Sequence, residues 1–245
     1  MKHKKLLISL GASLVLLLGI VTAASFYLVD YALVSAERER NSNLAQIEKR
    51  FPELKSWLDS LQTVGALRDT FVVMPTTGKR AHALFVRSPR AKGRTAVLVH
   101  GYCDNATRML PIARIYNREL GANVLLPDLY AHGQSDGDAI QMGWKDRLDV
   151  LHWISLAPEL FRTEADSMRL VVHGISMGAA TTMCVSGEQT PQYVKCFVED
   201  CGYTSVWDEF SNEISARFSL PDFPLMYTAS WLVQVKYGWN FNEAS

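Results

Sequence analysis

Three shortages narrow this sequence before any motif is read. Charge of neither sign dominates: 25 Lys and Arg balance 25 Asp and Glu, so nothing points to nucleic acid or another polyanion as partner. Cysteine occurs four times, at 103, 184, 196 and 201, with no C-x-x-C pair and no histidine spacing suited to zinc. In a chain of this size such cysteines read as free thiols, mostly buried, rather than a disulfide framework. Histidine occurs six times, at 3, 82, 100, 132, 152 and 173, and never after that. No metal or organic cofactor is implied. There is no internal repeat and no low-complexity segment, and nothing in the sequence reads out the oligomeric state.

What is present fits one large globular domain or two small ones. Hydrophobic residues make up 48% of the 245 and charged ones 20%, enough apolar mass for a sizeable core. Residues 1–5 are basic, and residues 6–29 then run without a charge. This is a signal peptide or a membrane-spanning helix. Val21-Thr22-Ala23 offers a cleavage site, but the apolar run continues through Phe26-Tyr27-Leu28-Val29. At ~1.5 Å per residue it would cross a hydrocarbon core of about 30 Å, which favours an uncleaved single-pass anchor over a secreted product. Lysines before the run and the mixed charges Glu37-Arg38-Glu39-Arg40 after it place the N-terminus in the cytoplasm and the remainder outside.

Residues 30–68 form a connector with helical character. Leu44, Ile47, Phe51, Leu54, Trp57, Leu58 and Leu61 recur at spacings of three and four. They make one apolar stripe suited to packing against the domain on its C-terminal side, with a break or a new first turn at Pro52. From Asp69 the pattern changes. Thr70–Met74 and His82–Arg87 read as strands joined by a turn at Thr76-Thr77-Gly78. Apolar runs come next at Ala96–Val99, Val124–Leu126, Leu170–Val172 and Val194–Val198, separated by helix-length stretches near 107–120, 143–157 and 177–187. Leu148, Leu151, His152 and Ile154-Ser155 set one face of the second helix, and Pro158 is expected to end it. Apolar strands alternating with helices imply an α/β fold with a mostly parallel sheet covered on both faces. Residues 203–241 are rich in aromatics and suit two helices broken around Pro221 and Pro224. They read equally as a cap over an apolar pocket or as a packing subdomain.

The pattern G-x-S-x-G occurs twice. Gly174-Ile175-Ser176-Met177-Gly178 comes after an apolar strand and opens into Ala179-Ala180-Thr181-Thr182, that is, strand, sharp turn, helix. In that setting the turn holds a serine hydroxyl clear of the backbone, and small flanking residues avoid collision with neighbouring elements. Gly133-Gln134-Ser135-Asp136-Gly137 lacks both the strand before and the helix after, so Ser135 reads as a loop residue and Ser176 as the nucleophile. An acylated serine also needs backbone N–H groups for the oxyanion. His100-Gly101-Tyr102, ending the first strong parallel strand, is placed to supply them, with Tyr102 N–H and Met177 N–H as the pair. His100 reads as a residue that shapes this loop rather than as a base.

Taken in order, His100-Gly101-Tyr102, the stretch Pro127–Gly137 and Gly174–Gly178 resemble an α/β-hydrolase of the serine-aminopeptidase-like and monoacylglycerol-lipase-like branch. Glu199-Asp200-Cys201-Gly202-Tyr203-Thr204-Ser205 is similar to bacterial membrane-anchored members. The resemblance covers residues 69–245 and implies Ser176 as nucleophile, Gly174 and Gly178 as the elbow glycines, Tyr102 and Met177 as the oxyanion hole, and Asp128–Gly137 as a structural loop. Such enzymes place the acid and then the histidine after the serine, on loops beyond two further strands. Here the chain ends 69 residues (245 − 176) after Ser176 and every histidine precedes it. The resemblance therefore implies a hydrolase lacking its last strands, with residues 194–199 as an edge and without the catalytic histidine and acid. Asp200 is a displaced acid or an ordinary loop carboxylate. The expected function is hydrolysis of an ester, thioester or amide, with a small-molecule or acyl substrate. The competing readings are a catalytically dead binding module at the membrane and, more remotely, a structural membrane protein.

Overall fold

A computed structural model describes residues 2–34 and 44–244; the charges at Glu37–Arg40 lie outside this set. In chain order, helix α1 (Lys2–Val29) continues as a wide turn over Asp30–Val34. Helices α2 (Leu44–Arg50) and α3 (Lys55–Thr63) come after it, with a 3-10 turn from Pro52 to Leu54 between them. Pro52 sits in the first turn of that segment, where its missing N–H costs nothing. Strands β1 (Leu67–Val73), β2 (Arg80–Val86), β3 (Arg94–Val99) and β4 (Asn123–Pro127) come next. Helix α4 (Leu110–Arg114) lies between β3 and β4, while α5 (Asp146–Phe161), β5 (Arg169–Ile175), α6 (Met177–Ser186) and β6 (Val194–Asp200) lie beyond β4. Helices α7 (Val206–Phe218) and α8 (Leu225–Tyr237) complete the described chain.

The six strands form one sheet in the order β1-β2-β4-β3-β5-β6. β1 and β2 pair antiparallel, β2 meets β4 antiparallel, and β4, β3, β5 and β6 are mutually parallel. β4 is buried along its whole length and β3 from Thr95 onward, as continuous Val/Leu runs require. β6 is an edge, and most of its residues are exposed.

The described chain divides into two compact units. One takes Glu37–Tyr203 and holds the sheet; the other takes Met1–Ala36 and Thr204–Ser245. In the sheet unit, the stripe Ile47, Leu54, Trp57, Leu58 and Leu61 joins Leu84, Val86, Ala96, Leu98 and Leu126 in one buried cluster. In the other, α8 packs along the end of α1, where Leu28, Val29 and Leu33 are buried.

Three expectations need correction. α5 does not stop at Pro158 but runs through it to Phe161. A proline leaves the carbonyl four residues earlier without its donor; that carbonyl, Ile154 O, accepts instead from the Tyr193 hydroxyl at 3.1 Å. The buried face of α5 is Val150, Trp153, Ile154, Ala157 and Phe161, with Leu148, Leu151 and His152 half-buried and Ser155 exposed. Nor are the cysteines mostly buried. None of the four is in a disulfide; Cys103 and Cys184 are half-buried and Cys196 and Cys201 exposed, the last two because they belong to the edge strand and the turn after it. The stretch 107–120 is also not one helix. It is a 3-10 turn (Ala106–Met109), α4, and a wide turn (Ile115–Glu119), entered through Asn105, whose side chain accepts from the N–H of Thr107 and Arg108.

Candidate active site

β5 carries the chain to Ile175, and α6 begins at Met177. The single residue between them, Ser176, adopts φ 56° and ψ −120°, a backbone conformation that L-residues hold only where the surroundings enforce it. The enforcement is visible. Ser176 N–H donates to Asp200 O at 2.8 Å, and Ser176 O accepts from Ala179 N–H at 2.9 Å and Ala180 N–H at 3.0 Å. The flanking glycines make room rather than supply torsion. A Cβ on Gly174 would lie 1.9 Å from Gly178 O, and one on Gly178 would lie 2.1 Å from Val99 O at the end of β3. Strand, helix and neighbouring strand meet too closely for any side chain at either position.

The turn after β3 lies beside the serine. A Cβ on Gly101 would stand 3.4 Å from Ser176 Cβ and 3.9 Å from Ser176 Oγ. Tyr102 comes after Gly101 on that turn and is partly exposed. Met177 is fully buried and opens α6, so its N–H is one of the first-turn donors that no helical carbonyl can satisfy. The turn after β3, with Gly101, and the β5–α6 junction, with Gly174, Ser176, Met177 and Gly178, thus stand side by side.

The loop is held by histidine, as expected of His100. Its Nδ1–H donates to Gly101 O (2.8 Å) and its Nε2 accepts from Leu129 N–H (3.0 Å). Burial pushes its imidazole below the ordinary histidine range, which suits this neutral tautomer. His132 does the same nearby, with Nδ1 on Tyr130 O and Nε2 on Cys103 N–H.

The hub of this support was missed in the sequence. Asp128, buried at the end of β4, accepts from Ala106 N–H (2.6 Å), Gln134 N–H (2.8 Å) and the ring of His82 (2.7 Å). Burial alone would raise its carboxyl; His82, then the His100 ring and the two backbone N–H groups, bring it below the usual carboxylate range. The signal lay in Gly133, whose φ is +49° and whose Cβ would fall 2.1 Å from the Asp128 carboxylate. Ser135 belongs to this loop. It is buried, its hydroxyl donates to Asp128 O (2.8 Å), and its oxygen accepts from His82 N–H (2.9 Å).

No histidine among the described residues is posed to activate Ser176. Among the described residues its Oγ has no histidine in hydrogen-bonding contact, and the rings of His82, His100 and His132 are engaged at both nitrogens. His173 meets Tyr116 through Nδ1 (3.1 Å), and its Nε2 is buried without a partner. Asp200 is the last residue of β6, not part of a loop beyond it, and reaches Ser176 through its backbone carbonyl. Among the described residues no group of three or more His, Cys, Asp or Glu is placed to hold a metal ion.

No protein-family model matches the chain. It is 24% identical over 245 residues to the uncharacterised protein YqkD of Bacillus subtilis, covering 99% of this chain and 75% of that one. It is 29% identical over 133 residues to the alpha/beta hydrolase domain-containing protein WAV2 of Arabidopsis thaliana, covering 54% of this chain and 41% of WAV2. Among solved structures, the Pyrococcus furiosus esterase Pf2001 superposes with a TM-score of 0.55 at 20% identity, over 70% of this chain and 63% of the esterase. The alpha/beta hydrolase GrgF from Penicillium gives a TM-score of 0.50 at 14% identity, over 72% and 68% of the two chains. The chain therefore spans less than two thirds of both WAV2 and this esterase. Sheet order, the strand–serine–helix turn and these likenesses together show an α/β-hydrolase fold.

Proposed function

We propose that the protein is a serine hydrolase of the serine-aminopeptidase-like and monoacylglycerol-lipase-like branch, acting on an ester, thioester or amide through an acyl-enzyme on Ser176. The observation that carries this reading is the backbone of Ser176, held at positive φ between two glycines that admit no Cβ. In the reaction Ser176 Oγ attacks the acyl carbonyl carbon. The carbonyl oxygen becomes an oxyanion, received by the backbone N–H groups of Tyr102 and Met177. Collapse of the intermediate expels the alcohol, thiol or amine, and water then releases the acid. The juxtaposition of Gly101 with Ser176 supports this assignment of the hole.

The proton of the hydroxyl must go to a base, and the described residues bring none against it. That observation favours a second reading, a binding module that keeps the fold and the turn. A fluorophosphonate probe separates the two. Labelling of the folded chain that vanishes in Ser176→Ala supports the hydrolase; a folded chain that takes no label supports the binding module.

Helix α1 supports a membrane location for either reading. The helical stretch His3–Val34 is long and apolar enough to cross a bilayer, and lysines at 2, 4 and 5 stand at its start. We read it as a single-pass anchor with the N-terminus cytoplasmic and the α/β-hydrolase fold outside. Protease protection in spheroplasts tests this orientation. Cleavage after Val21-Thr22-Ala23 would instead release a shorter, secreted chain, which N-terminal sequencing detects.

A further inference from the structure

Helix α8 has two unlike faces. Met226, Ala229, Ser230 and Val233 are buried, whereas Tyr227, Trp231 and Val235, four residues apart, stand exposed to 58%, 63% and 66%. Phe223, just before the helix and 73% exposed, extends the stripe by packing on Tyr227 at 5.8 Å between ring centroids. A row of aromatic and aliphatic side chains this open to solvent marks a surface with an occupant.

Its neighbour in the same unit says which. The large apolar side chains of α1 from Leu6 to Ile20 are exposed, and burial begins only near its end. There Ser25 Oγ meets Thr228 Oγ1, fixing the level at which α8 touches α1. Leu6 and Ser25 are 19 positions apart (25 − 6), roughly 29 Å of helix, close to the ~30 Å of a hydrocarbon core. Thr228, with Tyr227 beside it, thus stands where α1 would leave the core. At the same level stand further exposed aromatics, Phe26 and Tyr27 of α1 and Tyr31 of the wide turn that continues it. Tyr31 stacks with Tyr27 (6.2 Å) and meets Phe218 edge-on (5.9 Å).

We propose that the α8 stripe seats on the lipid bilayer itself, at the boundary between headgroups and acyl chains beside α1. Tyrosine and tryptophan suit that boundary, because an apolar ring enters the acyl region while the O–H or N–H stays hydrated. The proposal rests on α1 being a membrane helix. It adds that α7 and α8 do not stand off on a tether but lie against the lipid.

The test uses the full chain with Cys103, Cys184, Cys196 and Cys201 replaced by alanine, none of them buried. Single cysteines carrying the environment-sensitive dye NBD are placed by Gly11→Cys in α1, Trp231→Cys in α8 and Asp166→Cys in the sheet unit. The proteins are reconstituted in phosphatidylcholine–phosphatidylglycerol vesicles doped with spin-labelled lipid. We expect position 11 to be blue-shifted and quenched most by a deep acyl-chain label. Position 231 should be blue-shifted and quenched most by a shallow label, and position 166 should do neither. A quenched position 11 with a water-like position 231 overturns the seat but leaves the anchor standing. A blue-shifted but unquenched position 231 also overturns it and assigns the stripe to protein, with crosslinking to identify a second copy. An unquenched position 11 removes the anchor and the seat together.

Discussion

The chain writes G-x-S-x-G twice and builds two different things from it. At Gly174–Gly178 the glycines let β5, α6 and β3 crowd together, and the serine between them turns at positive φ with its hydroxyl bonded to no histidine. At Gly133–Gly137 the glycines close a tight loop, Gly133 over the Asp128 carboxylate and Gly137 against the Ala131 backbone, where a Cβ would lie 2.4 Å from Ala131 N. Ser135 there is buried and bonded through both its proton and its oxygen. One serine is presented and the other is structural. The pattern itself does not decide this; the strand before and the helix after do.

The comparison can be broken most sharply at the two hydroxyls. On the hydrolase reading, Ser176→Ala should abolish fluorophosphonate labelling completely while Ser135→Ala retains it, read by in-gel fluorescence. If both variants label like the parent, the distinction between the serines is wrong. Next in size is the room between elements. Gly178→Ala drives a methyl into the Val99 carbonyl, a backbone atom that cannot step aside. We expect a loss of about 3 kcal/mol or more, measured by urea denaturation of the solubilised protein. Ser135→Ala should cost less, about 1–3 kcal/mol, by leaving Asp128 O and His82 N–H short of a partner.

The smallest effect concerns pH. Burial by itself would depress the His82 imidazole, but the Asp128 and Asp69 carboxylates on its two nitrogens raise it overall, above the ordinary 6.5. The native protein thus keeps a proton that the unfolded chain has already released. The stabilisation is complete below pH 6.5 and is lost as pH rises through the raised native value. Melting temperature should fall across that window, and Asp69→Asn should flatten the fall. Asp69 is 61% exposed at its side chain, so its share should stay below about 1 kcal/mol. An unchanged pH profile in Asp69→Asn would show that Asp128 alone sets the effect.

Much of this was legible in the sequence, for identifiable reasons. Continuous apolar runs such as Ala96–Val99 have few alternatives to a buried parallel strand, and all six strands were placed, with edges off by up to three residues. The strand–turn–helix setting of Ser176, which Ser135 lacks, could be read because periodicity before and after a motif is a local property. What could not be read was non-local. The carbonyl that Pro158 leaves without a donor in α5 is met by the hydroxyl of Tyr193, 39 positions beyond Ile154. Asp128 looked like one residue of a loop because two of its partners, at 82 and 106, are gathered by the sheet and not by spacing. The exposure of Cys196 and Cys201 is a consequence of the edge position that the resemblance implied for residues 194–199; the count and spacing of the cysteines do not show it.

The backbone at Ser176 sets two kinds of fitness against each other. Glycine holds φ 56°, ψ −120° without steric objection, so a screen of variants scored only by melting temperature would be expected to replace the serine there with glycine. A screen scored by covalent capture would reject that same change. If Ser176 is the nucleophile proposed above, heat tolerance and chemistry select opposite residues at this codon, and an effort to make the protein hardier would leave it out of the library.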